Sequence, residues 1–148
     1  MKEENLRKKL MLMKQPELIK KTDTMFQLMR RMECSDKNGM AECVSCGRIH
    51  HYKLMDGGHF IQKGSTGNFG SRYKPNNVWP QCKYCNKELS GNYTEYRVRL
   101  VSKIGKDLVE FMELNRNNTD GVWLRELLIE TYISSKNKIK KLKETTHE

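Results

Sequence analysis

Five cysteines occur in this chain, and four of them fall into two identical spacings, Cys43-Val-Ser-Cys46 and Cys82-Lys-Tyr-Cys85. A C-x-x-C pair lets two thiolates reach one ion from a tight turn, and two pairs complete a tetrahedral sulfur site of the structural zinc type. The 35 residues between Cys46 and Cys82 exceed the connection of a simple zinc ribbon, so the insert must form an element of its own. Within it lie Asp56-Gly-Gly-His59-Phe60, the run Gly64-Ser-Thr-Gly-Asn-Phe-Gly70, and Asn76-Asn77, while Asn86 directly follows the last cysteine. A zinc module that only holds a fold needs none of these.

A carboxylate, a histidine and asparagines inside such a frame suit phosphodiester cleavage. One divalent cation held by a carboxylate and a nitrogen or amide oxygen relieves the charge on the phosphoryl oxygens, and a neutral histidine activates water. An imidazole titrating near neutral pH is matched to that task. Each residue also has a plain alternative: Asp56 as the first residue of an Asp-Gly turn, Asn77 as a capping or turn residue, Asn86 as a helix N-cap. His50 and His51 read as members of an exposed strand. Cys34 lies outside both pairs and reads as a small buried hydrophobe.

The elements that must position these residues follow from apolar spacing. Residues 1–33 read as helical: Leu6, Leu10 and Met13 form one stripe, Pro16 ends or restarts the segment, and Leu18, Ile19, Met25, Phe26, Met29 and Met32 form a second. The other face of that second run carries Lys20, Lys21, Arg30 and Arg31, a solvated surface or a phosphate contact. Ser35-Asp-Lys-Asn-Gly39 is a turn-rich break. Two short strands are expected at Ile49–Leu54 and Gly58–Ile61, joined in a hairpin through Met55-Asp-Gly57. The glycine-rich run at 64–70 suits a loop. A helix should begin around the second C-x-x-C, another should span Tyr93 to Ile104 and end at Gly105, and a short one should carry Leu108, Val109, Phe111 and Met112. A last helix, capped by Thr119 or Asp120, should carry Trp123, Leu127, Leu128 and Ile139 and end in the lysine run 136–143.

The sum is an α+β chain: a small zinc-stapled core at 41–105, a helical arm at 1–40, and a helical segment with a lysine-rich end at 106–148. At 148 residues with 36% hydrophobic content the chain has a lean core, which a metal staple would support. The formal charge of +10 stays clearly cationic after four thiolates close on one Zn²⁺, which fits a polyanionic partner such as DNA. From Ala41 to Gly105 ten basic residues stand against four acidic ones, so the charge is not confined to the ends. Arg72, whose guanidinium fork suits phosphate, and Lys63, Lys74, Lys87 and Arg97 are the candidate DNA contacts, with Lys83 and Arg99 adding to the field. No run is long enough to span a membrane and the first residues lack a signal-peptide pattern, so a cytoplasmic location with reduced cysteines is expected.

With these motifs in place, the chain resembles the HNH (ββα-metal) endonucleases in the branch that carries zinc-binding C-x-x-C pairs. It is similar in particular to the phage NinG (Rap) recombination family. The matching features are Cys43-Val-Ser-Cys46-Gly47, Asp56-Gly-Gly-His59-Phe60, Asn77-Val-Trp-Pro-Gln-Cys82, Cys85-Asn86, Ser90-Gly91-Asn92, and Tyr96-Arg97-Val-Arg-Leu100 with Ile104-Gly105. The resemblance implies a ββα-metal core in which His59 is the general base, Asn77 orients the His59 ring or its hairpin, and Asn86 is a metal ligand. It also implies structural zinc, a catalytic Mg²⁺ or Mn²⁺ bound by Asp56 and Asn86, and a phage enzyme cleaving branched DNA inside a bacterial host, a task that suits a homodimer. Two departures stand out. The carboxylate usually sits directly before the histidine, whereas Asp56 precedes His59 by three, so the two share a face only if Gly57-Gly58 turns or bulges. Asn86 also replaces the usual third histidine, and an amide oxygen favours a hard ion. The competing readings are a non-catalytic zinc module that binds DNA and an HNH nuclease that cuts linear duplex.

Overall fold

The computed structural model describes residues 2–62, 69–116 and 125–146. Six helices and four short strands make it α+β among the described residues. Helix α1 (Lys2–Met11) precedes α2 (Gln15–Glu33), and Pro16 sits in the first turn of α2, where its missing N–H costs nothing. Strands β1 (Met40–Glu42) and β2 (Ile49–His51) pair antiparallel around the first C-x-x-C. A 3-10 turn (Tyr52–Leu54) leads into β3 (Met55–His59). After the short helix α3 (Phe69–Arg72) and a second 3-10 turn (Pro75–Asn77), β4 (Val78–Cys82) pairs antiparallel with β3. A single π-type turn (Tyr84–Glu88) follows, then α4 (Tyr93–Ile104), α5 (Lys106–Leu114) and α6 (Arg125–Thr145).

The expected hairpin through Asp56-Gly57 is not formed. Both residues lie inside β3, with Asp56 opposite Gln81 and Gly57 opposite Pro80 in an unbroken register. The two glycines serve close packing, not a turn. A Cβ on Gly57 would lie 2.8 Å from Cβ and 3.2 Å from Cα of Gln27 on α2, and one on Gly58 would run into the Gln81 side chain. The helix expected around the second C-x-x-C is only the π turn, in which the Leu89 N–H reaches the Tyr84 carbonyl at 3.0 Å. Gly105, with φ +93°, separates α4 from α5 as its sequence position requires. The loop expected at 64–70 and the cap and tryptophan expected at 119–123 fall almost wholly outside the described residues.

Helix α2 is the beam on which the strands rest. One apolar cluster joins Leu10 and Leu18 to Leu128, Ile129, Tyr132 and Ile133 of α6. A second joins Phe26 and Met29 of α2 to Val78 of β4 and Ile139 of α6, so residues from the expected arm share a core with the strands. The basic face of α2 is put to the same use. Arg30 is buried; its Nε donates to the Val78 carbonyl at 2.8 Å and its Nη1 pairs with Glu33. Arg31 Nη1 donates to the carbonyls of Tyr52 (2.7 Å) and Met55 (3.0 Å). On the other side Phe60, directly after His59, stacks on Tyr93 of α4 with ring centroids 4.8 Å apart, and Tyr96 Oη donates to the Gly58 carbonyl at 2.8 Å. The β3–β4 pair is therefore held between two helices. Among the described residues, no helix is long and apolar enough to cross a membrane.

Candidate metal centre and adjoining cleft

The four cysteines of the two pairs converge. The Sγ atoms of Cys43, Cys46, Cys82 and Cys85 all lie within 4.8 Å of one another. Cys46 Sγ and Cys82 Sγ are 3.8 Å apart, far beyond a disulfide bond. A Zn–S distance of about 2.3 Å sets the edge of a tetrahedral sulfur site at about 3.8 Å. The donor set thus fits zinc in kind, number and spacing. The chain also supplies the N–H groups that thiolates accept. The amide of Cys82 points at Cys43 Sγ (3.3 Å) and that of Cys85 at Cys82 Sγ (3.4 Å), while the Asn92 side chain donates to Cys85 Sγ (3.4 Å). Burial pushes the Cys43 thiol up, but the amides of Cys82, Cys46 and Ser45 outweigh it and bring it down to about 7. Burial dominates at Cys85, which is pushed up to about 12, and at Cys82, which is also raised. Metal binding must therefore displace protons from Cys82 and Cys85 near neutral pH. Cys34 stands apart, half-buried, its thiol pushed up by burial.

Residues between and beyond the cysteines, to which the motifs gave no role, hold the two pairs together. Buried Gln81 donates from Nε2 to Ser45 Oγ in the first pair (2.8 Å) and to the Gly91 carbonyl after the second (2.7 Å). Ser90, Gly91 and Asn92 all have positive φ, at 52°, 96° and 40°, and this left-handed run carries the Asn92 side chain back to Cys85. An asparagine tolerates that conformation better than most residues.

Next to the sulfur cluster opens a cleft of about 510 Å³ lined by Asp56, His59, Asn86, Lys87, Ser90 and Gln27, among others. Asp56 and His59 both line it, although β3 runs through Gly57-Gly58 in unbroken register without the expected turn or bulge. Asn86 Nδ2 donates to Asp56 Oδ2 at 3.0 Å, and Lys83 Nζ lies 3.7 Å from Asp56 Oδ1. His59 Nε2 lies 3.0 Å from the Arg72 carbonyl. A carbonyl only accepts, so Nε2 carries the proton in this contact.

Asn77 is not in the cleft; it braces the chain behind it. Fully buried, it accepts from the Ile61 N–H through Oδ1 (2.7 Å) and donates through Nδ2 to the carbonyls of Ile61 and Ser71 (3.0 Å each). The basic candidates divide. Arg72 is no phosphate clamp: its guanidinium forks onto Asp23 of α2, Nε to Oδ1 at 2.8 Å and Nη2 to Oδ2, with both side chains mostly buried. Arg97 is likewise tied to Glu113 of α5, with Nη2 2.8 Å from Oε1. Lys74 and Lys87 are exposed, and Lys87 lines the cleft. Lys63 lies outside the described residues. His50 and His51 join neither the sulfur cluster nor the cleft; His51 Nδ1 accepts from the Lys53 N–H at 3.2 Å. Asp23 carries no sequence signal, since it acts through Arg72 and Tyr73, distant in the chain.

Comparison with known proteins adds the family. A model described as Bacteriophage Lambda NinG protein matches residues 1–145. The chain belongs to the NinG family. Among curated NinG relatives, Protein ninG of Escherichia phage lambda is 36% identical over 75 residues, covering 51% of this chain and 35% of the relative. Protein ninG of Escherichia phage 933W is 35% identical over 75 residues, covering 51% and 36%. Protein ninG of Salmonella phage P22 is 34% identical over 71 residues, covering 48% and 34%. The match thus spans about a third of each curated NinG relative. No solved structure matches the chain.

Proposed function

We infer that the cleft is the active site of a divalent-metal-dependent DNA endonuclease of the HNH (ββα-metal) type. The observation that carries this reading is the convergence of Asp56, His59 and Asn86 on one cleft beside a four-cysteine metal site. Strand β3 supplies Asp56 and His59, and the π turn that follows β4 supplies Asn86, the order a ββα-metal core uses. His59 takes a proton from the attacking water at Nδ1, since the Arg72 carbonyl occupies its Nε2–H. The Asp56 carboxylate and the Asn86 amide oxygen would hold a hard cation, Mg²⁺ or Mn²⁺. Such an ion supplies charge relief at the phosphoryl oxygens and the leaving oxygen. Lys87 adds positive charge at the cleft wall, and the +10 chain draws DNA toward it.

Branched recombination intermediates, Holliday junctions and D-loops, are the substrates this reading assigns, inside the bacterial host of a phage. That assignment rests on the resemblance to the recombination family, and the junction's two strands to be cut suit a homodimer. The test offers purified protein a synthetic four-way junction and a linear duplex of the same sequence, with Mg²⁺, Mn²⁺ or chelator. Cutting of the junction with either ion and not with chelator supports the reading; preferential cutting of the linear duplex assigns a general HNH nuclease instead. One observation favours a second reading, a zinc module that binds DNA without cutting it. Both Asp56 oxygens already face donors, Asn86 Nδ2 and Lys83 Nζ. That reading predicts salt-dependent DNA binding with no nicking under any divalent ion.

A further inference from the structure

Asp23 on α2 has no place in the sulfur cluster or the cleft, yet it is a mostly buried carboxylate with three donors around it. Arg72 Nε lies 2.8 Å from its Oδ1, Arg72 Nη2 pairs with Oδ2, and Tyr73 Oη donates to Oδ1 at 2.7 Å. A fork-on-carboxylate pair fixes the plane of both groups, not only their distance. The backbone it fixes is that of Arg72, whose carbonyl faces His59 Nε2 at 3.0 Å. From the other side Asn77 Nδ2 holds the carbonyl of Ser71, one residue earlier. The short helix α3 is thus pinned at consecutive residues, by Asp23 through a side chain and by Asn77 through the backbone.

We propose that Asp23 is a positioning residue for His59: by clamping Arg72 it aims the Arg72 carbonyl at Nε2 and so fixes which imidazole nitrogen carries the proton. The consequence for chemistry rests on His59 being the general base. A base whose proton sits on the wrong nitrogen cannot accept one from water at the cleft, however well the cleft binds DNA. Arg72 would therefore serve the reaction without touching phosphate, and α2 would hold the strands in place and set the tautomer as well.

The experiment uses the full chain loaded with zinc and labelled with ¹⁵N-histidine, with His59→Ala to assign the His59 signals. Long-range ¹H–¹⁵N correlation above the imidazole pKa reads the tautomer, and junction nicking reads kcat and KM. Asp23→Asn keeps the volume but turns an N–H toward the guanidinium, breaking the fork; Asp23→Glu keeps the carboxylate. The expected result is a single Nε2–H tautomer in the parent, a mixture with Nδ1–H in Asp23→Asn and Asp23→Ala, and recovery in Asp23→Glu. Nicking should fall by roughly tenfold or more in kcat, the usual loss when a partner that orients a histidine is removed, with KM for DNA little changed. If Asp23→Ala does not fold, the isosteric Asp23→Asn decides. An unchanged tautomer and kcat in a folded, zinc-loaded Asp23→Asn overturns the proposal while leaving the nuclease reading intact. A shifted tautomer in a chain that nicks nothing sustains the clamp and removes the nuclease reading.

Discussion

Asn77→Ala isolates the brace behind the cleft from the cleft itself. The side chain is fully buried and makes three hydrogen bonds: one accepted from Ile61 N–H at 2.7 Å and two donated, to the carbonyls of Ile61 and Ser71 at 3.0 Å. At about 1 kcal/mol net for each bond, alanine forfeits about 3 kcal/mol, and the Ile61 amide left without its partner in a buried setting adds about 1 kcal/mol or more. The expected loss is therefore about 4 kcal/mol or more, a large fraction of the stability of a small domain. Asn77→Asp sharpens the test. It keeps the acceptor for Ile61 but sets a carboxylate oxygen against two carbonyls, so it should lose at least the two donated bonds, about 2 kcal/mol. Urea unfolding of the zinc-loaded chain, followed by circular dichroism, reads both values as shifts in midpoint at constant slope. Asn77→Ala losing under 1 kcal/mol would refute the brace, because a surface turn residue behaves that way.

Other outcomes follow from the same geometry. Zinc affinity should rise with pH, since binding must strip protons from Cys82 and Cys85, and its slope against pH should steepen by about one proton below pH 7, where Cys43 also takes one up; chelator competition from pH 6 to 8 measures it, and one slope throughout would contradict the assignment. Gly57→Ala should cost about 1–3 kcal/mol by driving β3 off α2, because the new Cβ would meet Cβ and the backbone Cα of Gln27; a neutral result would mean the glycine serves something other than packing. Arg30→Met, which fills the volume but leaves the Val78 carbonyl without its donor and Glu33 without its partner, should destabilise by about 1–3 kcal/mol on thermal or urea unfolding.

What the sequence revealed and what it hid separate along one physical line. The four cysteines were readable because a C-x-x-C fixes its geometry within a single turn, and the pairs meet as their spacing implies. The helix Tyr93–Ile104 was readable because Tyr96, Leu100 and Ile104 repeat at the helical period and Gly105 adopts the positive φ that ends it. Asp56-Gly57 misled, because glycine has two uses. Here the Cβ missing at Gly57 admits Gln27 and that missing at Gly58 admits Gln81, and the conformational freedom that would make a turn goes unused. The arginines misled for a different reason. A guanidinium looks like a phosphate ligand until its acid is found, and Asp23 lies 49 residues before Arg72, while Glu113 lies on a helix beyond the matched motifs. The convergence of Asp56, His59 and Asn86 was read from order alone, and packing of β3 against β4 and the π turn supplied the geometry without the bulge that strand parity demanded.

Whether His59 activates water in the cleft is decided by comparing the parent protein with one variant. Parent and His59→Ala proteins, each verified by mass spectrometry to carry one zinc per chain, are offered a labelled four-way junction with Mg²⁺ or Mn²⁺. Equal zinc content and comparable junction binding are expected, with a loss of cutting on the order of 10²-fold or more in His59→Ala, the scale of a missing general base. Cutting by His59→Ala at the parent's rate would contradict that role.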